Sequence, residues 1–345
     1  MEFLRYFIVL FFFLTTFTNA DRECPVVSSY GDRRKDKTSL RLVQYNVEWL
    51  FIDYCNSSQC PGTGCPWKTL DDAETHLSYV VDVINELQPD IINFCEVEGC
   101  DELEEVVDKL ETTNSYKYYL KQGTDSSTGQ NVGFLTTIDP LVNLYRTETR
   151  VSYPIPGSTC GYTGSGSSGV SKHYITEFNL GDMKVAMIGA HFIAFPTDPS
   201  RCAQREAQAQ VLQYVVTNYV SKDYEIILLG DMNDYDGDVL DMNSDKPTSK
   251  TLRILKGMEG EMKNTYSLVN VANKIPQSER YTDWYDSDNN CNTSSQKDYS
   301  MIDHVLVSSK LEKKIIRAQI YHGYKEYCGK WNSDHYPVVI DFSNL

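Results

Sequence analysis

Ten apolar runs of strand length, each bounded by turn residues, set the strongest limit on what this chain can fold into. They lie at about 39–47, 90–96, 116–121, 131–137, 173–180, 183–191, 224–230, 301–308, 314–321 and 337–342. Some alternate and some are continuously apolar, as half-buried and fully buried strands are. Helical periodicity falls between some of them. Leu77, Val80, Val81, Ile84 and Leu87 share one face, and Val211, Leu212, Val215, Val216 and Tyr219 share another. Strand and helix are thus mixed throughout, which predicts an α/β (α+β) fold. No internal repeat or long linker divides the chain, so residues 39–345 read as one domain after an N-terminal segment, 21–38. The Gly/Ser-rich stretch 157–169 reads as a mobile surface loop. The polar, turn-rich stretch 234–300 reads as loops that shape the rim of a site.

Residues 1–20 have the layout of a secretory signal peptide: a short start with Glu2 and Arg5, an apolar core from Tyr6 to Leu14, and a small residue at Ala20. The core is well short of the roughly 20 residues a membrane span requires. No later window is long and apolar enough, so the mature chain is expected to be secreted, or held in the lumen of the secretory pathway, with no transmembrane segment. Ten cysteines (Cys24, Cys55, Cys60, Cys65, Cys95, Cys100, Cys160, Cys202, Cys291 and Cys328) all follow residue 20, an even number that suits disulfides in an oxidising compartment. Cys55, Cys60 and Cys65 lie close together, but no CxxC pair supports a zinc cluster. Asn56-Ser-Ser and Asn292-Thr-Ser are glycosylation sequons. With 32 Lys and Arg against 48 Asp and Glu, the net charge of −16 gives no general attraction for a polyanion. A phosphate-bearing substrate would need bound cations.

Five apolar segments end in, or contain, a carboxylate, amide or imidazole: LRLVQYNVEW, DIINFCEVE, VAMIGAHF, EIILLGDMND and SMIDHVLVS. A sixth, SDHYPVVIDF, places Asp334 and His335 just before the last strand. A sheet fixes the backbone while a side chain at a strand end reaches beyond it, so strand ends present chemistry well. Any one such residue is more often a turn former or helix cap; six in one chain point to a site. Asn46, Glu96, Asp231, Asn233, Asp303 and Asp334 are hard oxygen donors that suit Mg2+ or Ca2+. His191 and His335 suit proton transfer near neutral pH, and a neighbouring Asp would hold the tautomer. Together they supply what phosphodiester hydrolysis requires: an activated water, charge stabilisation and a proton for the leaving group.

In order and spacing, YNVEWL, FCEVE, GAHF, GDMND, IDHVLV and SDHYPV resemble the motifs of the endonuclease/exonuclease/phosphatase superfamily, from about Leu40 to the C-terminus. The last of them resembles the terminal motif of pancreatic deoxyribonuclease, a member of it. The resemblance implies a four-layered sandwich, two mixed β-sheets face to face with helices outside. It implies metal binding by Asn46, Glu96 and Asp334, with Mg2+ as the ion and Ca2+ or Mn2+ as alternatives. His191 and His335 would form the proton-transfer pair, Asp303 would orient His335, and Asp231 and Asn233 would contact the scissile phosphate and the water. Lys172 would stand where that enzyme has a backbone-contacting arginine, keeping the charge without the bidentate fork.

Two departures bear on substrate. Glu98 replaces an arginine that enters the minor groove in the pancreatic enzyme, and a carboxylate there would repel a phosphate backbone. The tyrosine and glutamate that flank the following strand have no clear counterparts around Thr128, Gly129 and Gln130, which leaves His191 without its expected orienting partner. The minor-groove mode of reading duplex DNA is therefore not supported, and the acidic charge and Glu98 stand against nucleic acid. The sequence also has no obvious apolar hairpin or amphipathic insertion for membrane docking, so a secreted nuclease acting on DNA or RNA is the first expectation. A sphingomyelinase-like or phosphoinositide phosphoesterase is the alternative, and a non-enzymatic binding module the third. The chain is expected to be a monomer. DMNDYDGD fails the EF-hand ligand pattern. His76, His173, His304 and His322 read as structural or solvent-exposed rather than as ligands, with His304 facing away from Asp303. Cys95 reads as buried or disulfide-bonded, and Tyr281, Trp284 and Tyr285 as packing residues rather than a stacking rim.

Overall fold

A computed structural model describes residues 24–52, 64–111, 115–286, 288, 290–292, 294–324 and 332–345. The signal peptide, Asn56, Cys55, Cys60 and Cys328 lie outside the described residues.

The predicted strands form two sheets. The first has the order β14 (Ile315–Ile320), β15 (Val338–Ser343), β1 (Ser39–Leu50), β2 (Ile91–Val97), β4 (Asn131–Thr136), β3 (Lys117–Leu120). The second runs β10 (Leu268–Asn270), β13 (Asp303–Ser308), β9 (Glu225–Asp231), β8 (Met183–His191), β7 (Lys172–Leu180). Both are mixed: β1 pairs with β2 and β8 with β9 in parallel, and the other pairings are antiparallel.

The period of two along each strand divides its side chains between layers. Leu42, Phe134 and Ile340 of the first sheet meet Phe178, Met187 and Leu229 of the second in one buried core. The other face of the first sheet, with Val43, Tyr45, Ile92 and Phe94, packs on α1 (Leu70–Leu87) and α2 (Cys100–Lys109). The outer face of the second, with Ala186, Ile188 and Leu228, packs on α3 (Pro199–Val220) and α4 (Thr251–Leu255). A short α5 (Ser309–Glu312) follows β13. The result is the four-layered α/β sandwich. Thr69 caps α1 by accepting from the Asp72 amide, and Asp198 caps α3 through the Arg201 amide, with Pro199 at the first helical position. The α2 helix was not foreseen; it is acid-rich, and its only buried aliphatic side chains are Leu103 and Val106, beside the buried Cys100 and Glu102.

The stretch 157–169 is no loose loop. It lies within a hairpin of β5 (Val151–Tyr153) and β6 (Gly166–Ser168), and Cys160 is bonded to Cys202 on α3. The disulfide supplies the tie that a Gly/Ser-rich composition conceals. Cys24 is bonded to Cys100 at the start of α2, Cys65 and Cys291 are also disulfide-bonded, and Cys95 is a buried free thiol.

Candidate active site

Strand parity explains why the polar strand-end residues converge. On β1, Leu40, Leu42, Gln44 and Asn46 alternate onto the inter-sheet face; on β8 the same face carries Met187, Gly189 and His191, on β9 Leu229 and Asp231, and on β13 Asp303 and Val305. The strands end at one edge of the sandwich, so Asn46, His191, Asp231 and Asp303 arrive together. Glu96 has the wrong parity, one residue past inward-facing Cys95. A left-handed backbone at Glu96 (φ 69°) and a register shift between Cys95 and Val97 turn it into the same space. Gly230, at φ 147°, admits the close approach of β9 to β8: a Cβ there would lie 1.7 Å from the Ala190 carbonyl oxygen.

Asn46 is central. Its Nδ2 lies 3.2 Å from Glu96 Oε1, 3.0 Å from Asp231 Oδ2 and 3.4 Å from His335 Nε2, while its Oδ1 accepts from the Glu48 amide. His335 Nδ1 is 2.7 Å from Asp303 Oδ2. Asp303 Oδ1 accepts from Gln44 Nε2 at 3.0 Å, Gln44 Oε1 from Asn93, and Asn93 Oδ1 from the Tyr174 hydroxyl, so a buried polar chain runs between the sheets behind the histidine. His191 Nε2 lies 3.5 Å from Asp231 Oδ2 and 3.8 Å from Glu96 Oε1. Its Nδ1 is buried and has no hydrogen-bond partner among the described residues, in keeping with the missing glutamate. Asn233, at φ 49°, donates its amide to Asp231 Oδ1 and its Nδ2 to the Phe192 carbonyl. Asp334 Oδ1 is 3.8 Å from His335 Nε2.

Charge follows from this packing. Burial pulls the His335 imidazolium down, but Asp303, Asp334 and Asp283 outweigh it and hold the group well above the usual histidine range. Burial, with Lys172 and His335 nearby, holds His191 well below that range. Burial and neighbouring carboxylates raise Asp231, Asp283 and Asp334 above the usual carboxylate range.

Lys172 lies across from His191 in the β7–β8 register, but its ammonium is buried against Gln130 Oε1 (3.2 Å) and Asp125 Oδ2 (3.5 Å), and it is not among the residues lining the cleft. Glu98 does not line the cleft either. It shares a side-chain hydrogen bond with Glu102 on α2, so the expected repulsion of substrate by Glu98 loses its basis. Tyr281 stacks on His322 (3.8 Å) and Trp284 is buried, but Tyr285 is exposed at the cleft, a correction to its reading as a packing residue. His304 faces outward to Asn270 and the Asp234 carbonyl, as its parity requires. Beyond Asp231, the acids of DMNDYDGD are paired with cations, Asp234 with Arg205 and both Asp236 and Asp238 with Lys256.

The cleft encloses about 530 Å³ and is lined by Glu96, His191, Asp231, Asn233, Asp334 and His335, with the loop 194–197 and residues of the 234–300 stretch. Asp283 was missed. It sits on a two-residue strand, β11 (Asp283–Trp284), paired with β12 (Tyr299–Ser300), and its Oδ1 lies 3.7 Å from His335 Nε2. Strands of two residues carry no periodic signal.

Donor atoms of Glu96, His191 and Asp231 lie within 4.8 Å of one another, as do those of Asp283, Asp334 and His335. Mutually repelling carboxylates with few cations among them fit a divalent ion of the Mg2+ type. Of the three residues expected to bind metal, Glu96 and Asp334 thus fall in two adjoining groups, and Asn46 turns its amide nitrogen toward the first.

Fold and site define a two-sheet α/β sandwich with carboxylates and paired histidines gathered at one edge. The sequence model of the Endonuclease/Exonuclease/phosphatase family matches residues 43–335, and the chain belongs to that family, whose members are hydrolases acting on phosphoester bonds. Solved structures share the fold at low identity. Humanized D. rerio TDP2 carrying 14 mutations is 13% identical, with a TM-score of 0.51 over 89% of this chain and 99% of that one. Truncated Caenorhabditis elegans TDP2 is 14% identical, with a TM-score of 0.51 over 88% and 98%. A family protein from Bacteroides thetaiotaomicron is 14% identical, with a TM-score of 0.51 over 88% and 94%. A search of curated proteins returned no match.

Proposed function

We propose that this chain is a secreted, divalent-metal-dependent phosphodiesterase that hydrolyses nucleic acid, DNA or RNA, by histidine-assisted attack of water on phosphorus. The observation that carries the reading is the convergence of the Asp303–His335 pair with Glu96, Asp231, Asn46 and His191 at one edge of the two sheets. Glu96, with Asp231 beside it, and Asp334, with Asp283 beside it, would hold the cation. When bound, it would neutralise phosphoryl oxygens and acidify a water. Asp303 orients His335 and favours its charged form, as a dyad requires. His191 and His335 divide the proton transfers between them, and Asn233 and Asp231 position phosphate and water. Lys172, buried behind His191, contributes its field rather than a contact with substrate. The disulfides support secretion.

The test is hydrolysis of plasmid DNA, RNA and sphingomyelin in parallel by the oxidised mature protein, with Mg2+ and with chelator. Chelator-sensitive cleavage of a nucleic acid is expected. Lipid turnover alone would move the assignment to the sphingomyelinase-like alternative.

A further inference from the structure

Two large aromatic side chains stand exposed at the cleft, Phe195 at 64% and Tyr285 at 69% of full exposure. Phe195 is held there against local preference. Its backbone is left-handed, φ 69°, a conformation that bulky residues rarely adopt. The fully buried guanidinium of Arg205 fastens the loop, donating from Nη1 to the carbonyls of Ile193 (3.1 Å), Ala194 (3.3 Å) and Phe195 (3.0 Å) and from Nη2 to that of Pro196 (2.9 Å). Its Nε is bonded to Asp234 Oδ2 at 3.0 Å, in the same GDMND segment that supplies Asp231 and Asn233. The ring is therefore positioned by the segment that carries part of the site. Tyr285 follows Asp283 and is fixed by its amide, which donates to the Asp298 carbonyl.

The charges of the cleft say what these rings would meet. Six carboxylates line it, and the one lysine there, Lys297, is paired with Asp288. Contacts to a long run of phosphates are a poor source of affinity in such a field. Affinity must come from a part of the substrate that is flat and uncharged. An unpaired base offers its face to an aromatic ring, whereas a base in a duplex has both faces covered. A lipid surface would require a contiguous apolar patch, and other exposed hydrophobics such as Tyr79, Met258 and Ile316 lie away from the cleft.

We propose that Phe195 and Tyr285 form a base-stacking subsite, and that the substrate is single-stranded nucleic acid. This deepens the nuclease reading and rests on it.

The test is fluorescence anisotropy of the full mature protein carrying His335→Ala, in Mg2+. The probes are a single-stranded oligonucleotide, the same strand with abasic residues throughout, the corresponding duplex, and sphingomyelin vesicles. The expected result is that the native strand binds at least about tenfold more tightly than the abasic strand or the duplex. Phe195→Ala and Tyr285→Ala should each weaken the native strand by about tenfold and leave the abasic strand unchanged. Phe195→Tyr and Tyr285→Phe, which keep a ring, should retain the affinity. Equal affinity for native and abasic strands, equal losses on both, no binding of either, or a loss confined to vesicles would overturn the subsite. Cleavage of the same strand by the protein with His335 intact is read separately. Its absence while stacking persists sinks the nuclease reading alone, and cleavage without base-dependent binding sinks the subsite alone.

Discussion

Asp303 holds His335 with one carboxylate oxygen, 2.7 Å from Nδ1, and leaves the other to Gln44, 3.0 Å away. The carboxylate is thereby fixed on both sides, by a buried amide on the first sheet and by the histidine that enters after the last loop. Gln44 is fixed in turn by Asn93, and Asn93 by Tyr174. A polar group this deeply buried is costly unless it is hydrogen-bonded.

His335→Ala should lower kcat on the preferred nucleic acid by roughly 10²- to 10⁴-fold with the fold intact, as loss of an acid–base group does. Asp303→Asn should also slow turnover, since an amide cannot stabilise the charged imidazole. Gln44→Met leaves polar groups of Asp303 and Asn93 unpaired and should cost about 1–3 kcal/mol of stability. Steady-state kinetics and denaturant unfolding on the three variants check this; turnover at the unaltered rate in His335→Ala removes the histidine from the mechanism.

Asp231, Asp283 and Asp334 are raised by burial and, in smaller part, by neighbouring carboxylates, and a bound cation would offset both. Mg2+ at 100-fold excess over its Kd should stabilise the folded protein by about 2–3 kcal/mol, read as a rise in Tm. In Glu96→Gln that rise should shrink or vanish, while the Tm in chelator holds or increases. An undiminished Mg2+ response in the variant would take Glu96 out of the ligand set.

Arg205 is fully buried and bonded to Asp234 and to four loop carbonyls. Arg205→Met leaves a buried carboxylate without its cation and should destabilise by about 3–5 kcal/mol. Adding Asp234→Asn should restore part of the loss. Urea unfolding of the single and double variants decides it, and strict additivity would mean that the pair is not coupled.

Glu102 supplies a pH dependence away from the site. Burial lifts its carboxyl from 4.5 to about 7, although hydrogen bonds with Glu98 and Ile52 act in the other direction. Below about 4.5 both folded and unfolded states hold the proton. Between there and about 7 the unfolded chain gives it up first, so stability falls as pH rises through this window and levels off above it. Glu102→Gln should flatten that fall and raise Tm at pH 8. Parallel Tm curves against pH for the two proteins would show that Glu102 is not the source.

Much of the architecture was legible along the chain because strand and helix periodicities are local. The ten apolar runs became the main strands of both sheets, and the faces through Leu77 and Val211 became α1 and α3. Parity carried further than expected: once β1, β8, β9 and β13 are strands, the positions of Asn46, His191, Asp231 and Asp303 on one face follow from counting by two. Glu96 could not be placed by counting, because a bulge reverses its direction.

What the sequence by itself determined was therefore the set of elements and the residue types at their ends, since these depend on neighbours a few positions away. Tertiary structure alone decided that Asp283, Phe195 and Tyr285 join the cleft, that Gln44 backs Asp303 across 259 positions, and that Lys172 turns to Gln130. Those contacts join segments far apart in sequence, which no local pattern relates, so only the tertiary packing brings them together.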